Sequence, residues 1–286
     1  MLSKIYLEIT NVCNLSCPFC HGTKRKRRFM PYDDFALILD KIKGKAKYLY
    51  FHVLGEPFLH PDLARMMAKA HECGFTVMLT TNGTRLAEGG EKILDTGVLR
   101  KISISLQALE SGGIADVDAY LESIARFSAE CGKRNVICVL RLWNGKSEGE
   151  KQNERILQKL HALFPDEWIP NRSGCKLVSA PLGQNEIYLE NADRFRWPDE
   201  RSEYKAVPHA CRAIRDQIGI LCDGTVVPCC MDADGAVPLG NLLSPRSLEE
   251  ILSSPRAENL CRSFEKGAPC ETLCASCGYA ERFSVR

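Results

Sequence analysis

No apolar run in this 286-residue chain approaches the roughly 20 residues that a bilayer-spanning helix needs. The opening Met1-Leu2-Ser3-Lys4-Ile5-Tyr6-Leu7-Glu8-Ile9 reads as a β-strand and lacks the apolar stretch of a secretory signal. A soluble, cytoplasmic protein with no membrane partner is therefore expected. Surplus charge is scarce as well: 38 Lys and Arg against 36 Asp and Glu leave a net +2. That balance gives no broad basic field of the kind that draws nucleic acid, so no nucleic-acid partner is expected either. Internal repeats and low-complexity linkers are missing. So is cysteine across most of the middle of the chain, where Cys73, Cys131, Cys138 and Cys175 read as small buried hydrophobes.

Cysteine is concentrated at the two ends instead. Of 15 in all, three fall within eight residues, from Cys13 to Cys20, and eight lie between Cys211 and Cys277. An odd number in a chain of this kind argues against a disulfide framework and for metal or redox chemistry.

With 45% hydrophobic residues the chain can bury a large core, and at roughly 150 residues per domain two unequal domains are expected, 1–200 and 201–286. Strand-like runs at 4–9, 47–53, 75–81, 100–106, 135–142 and 185–190 alternate with helical periodicity. Phe35, Ile38, Leu39 and Ile42 share one helical face, as do Leu63, Met66, Met67 and Ala70, and Val117, Tyr120, Leu121 and Ile124. Gly74 suits the end of the second helix. The pattern predicts an α/β fold, a partial (β/α)6 TIM-like barrel, with a doubly wound open sheet as the alternative. After residue 200, Ile218 to Val227 carries Asp223-Gly224, the signal of a hairpin with a two-residue type I′ turn. A short helix at 247–254 opens on the capping box Ser247-x-x-Glu250. The rest of this small hairpin and helix domain reads as loop-rich and cysteine-rich, too poor in apolar periodicity to hold itself together by burial alone, so that a metal centre would supply the missing stabilisation.

Cys13, Cys17 and Cys20 form a C-x3-C-x2-C cluster in the loop after the first strand. A [4Fe-4S] cube held by three thiolates keeps one iron open to a cofactor or substrate. The competing readings are a zinc site closed by a fourth ligand such as His21, and a plain thiol cluster.

The triplet, with aromatic Phe19 before its third cysteine and a partial barrel around it, resembles the radical S-adenosylmethionine (SAM) superfamily. That resemblance implies SAM chelating the open iron and being cleaved reductively to a 5′-deoxyadenosyl radical that abstracts hydrogen, chemistry that belongs to the cofactor. Leu54-Gly55-Glu56-Pro57 resembles the family's Gly-Gly-Glu-Pro motif, with Leu54 in place of its first glycine. Thr81 and Asn82 end the third strand candidate, and Ser105 and Arg141 resemble the family's ribose and carboxylate contacts. All lie at or near C-terminal strand ends, where barrel enzymes build their sites.

Cys211, Gly224 and Cys229, followed by Cys274 and Cys277, resemble the SPASM or twitch extension of the same superfamily. The resemblance implies one auxiliary [4Fe-4S] cluster on those four cysteines, saturated and suited to electron transfer. Cys270 and Cys230 are rival ligands, Cys222 and Cys261 read as packing residues, and a four-thiolate zinc site is the alternative.

The basic run Lys24-Arg25-Lys26-Arg27-Arg28 reads as a solvated charge run, or as a site mouth that attracts an anionic substrate. By resemblance the protein is an oxidoreductase or maturase acting on a peptide or small molecule, supplied with electrons by a flavodoxin or ferredoxin. A start at the first strand leaves no room for an N-terminal peptide-recognition domain, so a leader peptide would be held by another protein or by the barrel. Gln107 stands where related enzymes often carry aspartate, and no catalytic acid or base can be named. The alternative of a different class is a non-catalytic zinc- or iron–sulfur-binding protein, structural or electron-carrying.

Overall fold

The computed structural model describes residues 2–164, 168–171, 174–177, 187–204 and 211–283, with the side chains of 168–177 and 281–283 outside the description. Strands β1 (Leu2–Leu7), β2 (Ala46–Tyr50), β3 (Thr76–Thr81), β4 (Leu99–Ser105) and β5 (Ile137–Gly145) alternate with helices α1 (Tyr32–Ile42), α2 (Leu63–Glu72), α3 (Leu86–Leu94) and α4 (Val117–Lys133). Helix α5 (Asn153–Leu163) and an antiparallel hairpin, β6 (Trp168–Asn171) and β7 (Gly174–Leu177), precede β8 (Ile187–Asp193). Residues 185 and 186 of the expected sixth strand lie outside the described residues, as does the side chain of Cys175. β1, β2, β3, β4, β5 and β8 pair in parallel in that order, the six strands of the expected partial barrel.

The sheet does not stop at its first strand. β9 (Gln217–Ile220) pairs in parallel with β1, and β10 (Thr225–Val227) and β11 (Gly240–Asn241) continue it antiparallel, so that among the described residues one sheet of 11 strands runs through both halves of the chain. Helices α6 (Leu248–Leu252), α7 (Pro255–Glu265) and α8 (Thr272–Ala275) follow.

Alternation along the strands decides what is buried where. Ile5, Leu7, Leu49, Val77, Leu79, Ile102, Ile104, Leu140 and Leu189 pack outward into the core shared with the helices, where they meet Phe35, Ile38, Leu39 and Ile42 of α1 and Met66, Met67 and Ala70 of α2. Tyr6 faces the other way, in a separate cluster with Val53, Leu54, Leu221, Val227 and Ala233. Cys73, Cys131 and Cys138 are buried, as their isolation in the sequence led one to expect. Lys41 at the end of α1 donates to the carbonyls of Leu242 (2.7 Å), Ser244 and Arg246 (3.1 Å), tying the barrel to the C-terminal segment.

Two sequence expectations need correction. The Asp223-Gly224 turn has a three-residue loop: Leu221 N–H donates to the Thr225 carbonyl at 2.9 Å and Gly224 N–H to the Leu221 carbonyl at 2.8 Å, with Gly224 at φ +83°. This is a turn followed by a left-handed bulge residue. The Cys222 N–H is drawn off to the carboxylate of Glu8 at 3.0 Å. The capping box on α6 forms as expected. The stretch after it is not loop throughout, since α7 is 11 residues long, capped by Ser254, and buries Ala257, Leu260 and Phe264.

Candidate functional site

The three-cysteine loop leaves β1 and returns beside it. Thr10 Oγ1 donates to the Arg28 carbonyl at 3.0 Å, Asn11 Nδ2 to the Lys26 carbonyl at 3.0 Å, and Arg28 N–H to Asn11 Oδ1 at 2.7 Å, which closes the neck. Within the loop Cys13 and Cys17 are half-buried and Cys20 is exposed. Burial pushes the thiols of Cys13 and Cys17 up, that of Cys17 to about 12. Gly22 N–H donates to Cys20 Sγ at 3.4 Å, and Asn82 Nδ2 donates to Cys13 Sγ at 3.8 Å, which opposes the rise at Cys13. His21, the fourth ligand of the zinc reading, stacks on Trp197 with ring centres 5.6 Å apart and places Nε2 3.4 Å from Asp234 Oδ2.

All three cysteines open on one cavity of about 440 Å³, whose wall includes Phe19, Gly55, Glu56, Thr81, Asn82 and Ser105. Gly55 sits at φ +77°, and a Cβ there would lie 2.3 Å from the Thr10 carbonyl oxygen, so only glycine lets the strand-end loop close on the cysteine loop. The next residue, Glu56, is almost fully buried. Its carboxylate accepts from Asn82 N–H at 2.7 Å, Thr81 Oγ1 at 2.8 Å and Phe58 N–H at 3.0 Å. Burial raises its pKa and these hydrogen bonds oppose the rise. Glu56 thus braces the loop after β2 against the end of β3. Pro57 starts the short 3-10 turn that supplies the Phe58 N–H.

Arg141 is not among the residues that line this cavity. Its guanidinium lies 4.6 Å from the centre of the Trp143 ring, and its Nε is 4.0 Å from Glu190 Oε2. Phe19 is fixed through its carbonyl, which accepts from Trp197 Nε1 at 3.0 Å.

The basic run divides. Lys24, Lys26 and Arg27 are exposed, but Arg25 is held in an ion pair with the fully buried Glu8 at 2.8 Å and donates from Nε to the Ala233 carbonyl at 2.9 Å. The solvated reading therefore fails for Arg25. Sequence reasoning missed Glu8, Trp197, Asp234 and His52; only the lone acid at the end of an apolar strand was there to signal the first.

In the C-terminal region Cys211 precedes β9, Cys229 follows β10, Cys274 lies in α8, and Cys277 follows just beyond its C-cap Ser276. All four line a single small cavity of about 30 Å³, walled by Pro198, Met231, Phe264 and Leu273. Burial raises all four thiols, Cys229 and Cys274 well above the ordinary range. Among the described residues no three His, Cys, Asp or Glu side chains converge at the spacing of one metal ion. The rival ligands lie elsewhere: Cys230 packs on the inner cluster with Tyr6, and exposed Cys270 accepts from Asn259 Nδ2 at 3.5 Å. Cys222 is buried and Cys261 is half-buried.

A profile of the radical SAM superfamily matches residues 7–160. The chain belongs to this superfamily. A second profile, described as an iron–sulfur cluster-binding domain of the SPASM type, matches residues 211–278. This radical SAM protein therefore uses a [4Fe-4S] cluster and SAM, and its SPASM domain brings auxiliary iron–sulfur chemistry. The donors fit: three thiols line the larger cavity and four line a small apolar one.

Among curated proteins, the tungsten-containing aldehyde ferredoxin oxidoreductase cofactor-modifying protein of Pyrococcus furiosus is 38% identical over 88 residues, 29% of this chain and 25% of that protein. A probable GTP 3′,8-cyclase of Pyrobaculum aerophilum is 27% identical, over 38% of this chain and 36% of the relative. Both matches therefore span well under half of the relatives' lengths. A probable GTP 3′,8-cyclase of Methanothermobacter marburgensis is 24% identical over 87% of this chain and 91% of its own. Of solved structures, BtrN with AdoMet and 2-DOIA aligns at TM-score 0.60 and 14% identity over 97% of this chain and 93% of that one. The anSMEcpe complex with AdoMet and the Cp18Cys peptide aligns at 0.60 and 13%, over 99% and 91%. These structures share the fold. Among the described residues no helix is long and apolar enough to cross a membrane.

Proposed function

We propose that Cys13, Cys17 and Cys20 hold the SAM-binding cluster, that Cys211, Cys229, Cys274 and Cys277 hold one auxiliary [4Fe-4S] cluster, and that the enzyme oxidises or otherwise modifies a small molecule or peptide. The observation that supports this most is the junction of the three thiols with Gly55, Glu56, Thr81, Asn82 and Ser105 on one cavity wall. Bound there, SAM and its cluster would supply a 5′-deoxyadenosyl radical for hydrogen abstraction. This chain's part is to position and seclude. Glu56 fixes two loops to each other, Gly55 lets them meet, and Phe19 and Trp197 shield one side. Four thiols around the auxiliary cavity suit a saturated cluster that takes the substrate electron, and a flavodoxin or ferredoxin is the electron donor in this reading. A peptide substrate draws support from the peptide-bound anSMEcpe neighbour, and a small molecule from BtrN. Residues 1–200 would serve as the radical-forming unit and 201–286 as the auxiliary one.

The test is anaerobic reconstitution followed by reduction with SAM. 5′-Deoxyadenosine is expected from the wild-type chain and not from Cys17→Ala. A chain that binds about one zinc per site and leaves SAM intact would overturn the reading.

A further inference from the structure

One layer of the barrel interior has no part in the sites above. The register sets Lys4 of β1 beside Tyr48 of β2, Tyr6 beside Tyr50, Met78 of β3 beside Lys101 of β4, and Arg141 of β5 beside Glu190 of β8. Their neighbours Ile5, Leu49, Ile102, Leu140 and Leu189 face the helices. Alternation therefore turns Lys4, Lys101 and Arg141 inward, on the same face as Ser105, below the cavity mouth.

The charges in this layer do not balance. Among the described residues three cations meet one carboxylate, Glu190, whose Oε2 is 4.0 Å from Arg141 Nε. Glu8, also on the inner face, is fully engaged by Arg25. The Lys4 ammonium lies over the rings of Tyr6 and Tyr50, 5.5 and 5.9 Å from their centres. Arg141 Nε is buried without a hydrogen-bond partner, and Lys101 has no hydrogen-bonded or ion-pair partner among the described residues. Burial, then the like charge of Arg141 and Lys4, holds the Lys101 amine below the ordinary lysine range, and Glu190 offsets part of this. Cations brought together where they are partly buried cost stability unless an anion joins them, and such groups are where ligands are met.

We propose that this layer binds an anionic group of the substrate, a carboxylate or a phosphate, with Lys4 and Lys101 as its direct partners and Arg141 adding to the positive field. The proposal rests on the reading of the three-cysteine cavity as the radical-forming site. It orients the substrate with its anionic end deep in the barrel and its reacting carbon toward the mouth. Tyr6, Tyr50 and Trp143 would form the walls between.

The test uses the full chain with both clusters and SAM bound, titrated calorimetrically with pyrophosphate and, separately, glutarate at constant ionic strength. One saturable site per chain is expected for at least one of the two, and the one that binds identifies the group as phosphate or carboxylate. Lys101→Met and Lys4→Met should each weaken it by about tenfold or more, Lys101→Arg should keep most of the affinity, and Lys26→Met on the exposed loop should keep all of it. In anion-free buffer Lys101→Met should melt at a higher temperature than wild type, because an uncompensated charge has gone. No saturable site, or equal weakening by Lys26→Met, overturns the proposal, as does a Lys101→Met protein that melts lower and binds as wild type does. Wild-type protein that makes no 5′-deoxyadenosine overturns the underlying reading; protein that makes it and binds neither anion overturns this inference alone.

Discussion

Arg25 grips Glu8 with two hydrogen bonds of 2.8 Å, one to each carboxylate oxygen, although neither residue is a metal ligand in any reading of the chain. The same carboxylate accepts from Cys222 N–H at 3.0 Å and Leu54 N–H at 3.3 Å. One buried acid thus joins the first strand, the cysteine loop, the loop after β2 and the C-terminal hairpin. Removing one member leaves the other charge buried and unpaired, which costs about 3–5 kcal/mol. Glu8→Ala and Arg25→Met should each lower stability by about that amount in anaerobic urea unfolding. A loss below about 1 kcal/mol would place the pair with ordinary surface bridges.

Gly55 offers a sharper test of the cavity. At φ +77° with the Thr10 carbonyl 2.3 Å from any added Cβ, Gly55→Ala must push the loop off the cysteine neck. SAM affinity, measured by equilibrium dialysis on reconstituted protein, should fall at least about tenfold, with a stability loss above about 1 kcal/mol. Wild-type affinity in the variant would mean that the loop has room to spare.

The auxiliary ligand set can be counted. With two four-iron clusters the chain holds about eight irons, and replacing Cys274 and Cys277 together by serine should leave about four. Cys230→Ser and Cys270→Ser should keep about eight, because both side chains lie away from the four-thiol cavity. Loss of iron in Cys230→Ser would move the cluster toward the barrel interior.

His52 makes stability depend on pH. Burial, then the charges of Arg141 and Lys4, lower its pKa to about 3, against about 6.5 in the unfolded chain. Between those values the unfolded chain binds a proton that the folded chain refuses. Stability from this group is complete above about pH 6.5 and falls by about 1.4 kcal/mol per pH unit as pH drops toward 3. His52→Phe should flatten the wild-type slope by that amount over pH 4–6 in denaturant titrations. Parallel slopes would mean that His52 is protonated in the fold.

The parts legible in the sequence were those whose partners are near in the chain. The cysteine triplet, Gly55-Glu56-Pro57, the helix faces and the Ser247 capping box each declare themselves within a few residues. Glu8 did not, because its partners are 17, 46 and 214 positions away. The same carboxylate explains the turn at Asp223-Gly224, where the hairpin was legible and its loop length was not. α7 was hidden by its composition: Pro255-Arg256-Ala257-Glu258-Asn259 shows few apolar residues, and only Leu260 and Phe264 hint at a buried face. Arg141 reads as a strand-end cofactor contact, yet its surroundings in three dimensions are Trp143 and Glu190. The hairpin of β6 and β7 gave no periodic signal at four residues per strand.

Because β9 lies directly alongside β1, the outer edge of β1 is covered by residues more than 200 positions later in the chain. A chain halted before β9 would leave an open row of backbone groups along β1, a template for pairing with other chains, while Arg25 alone holds the Glu8 carboxylate.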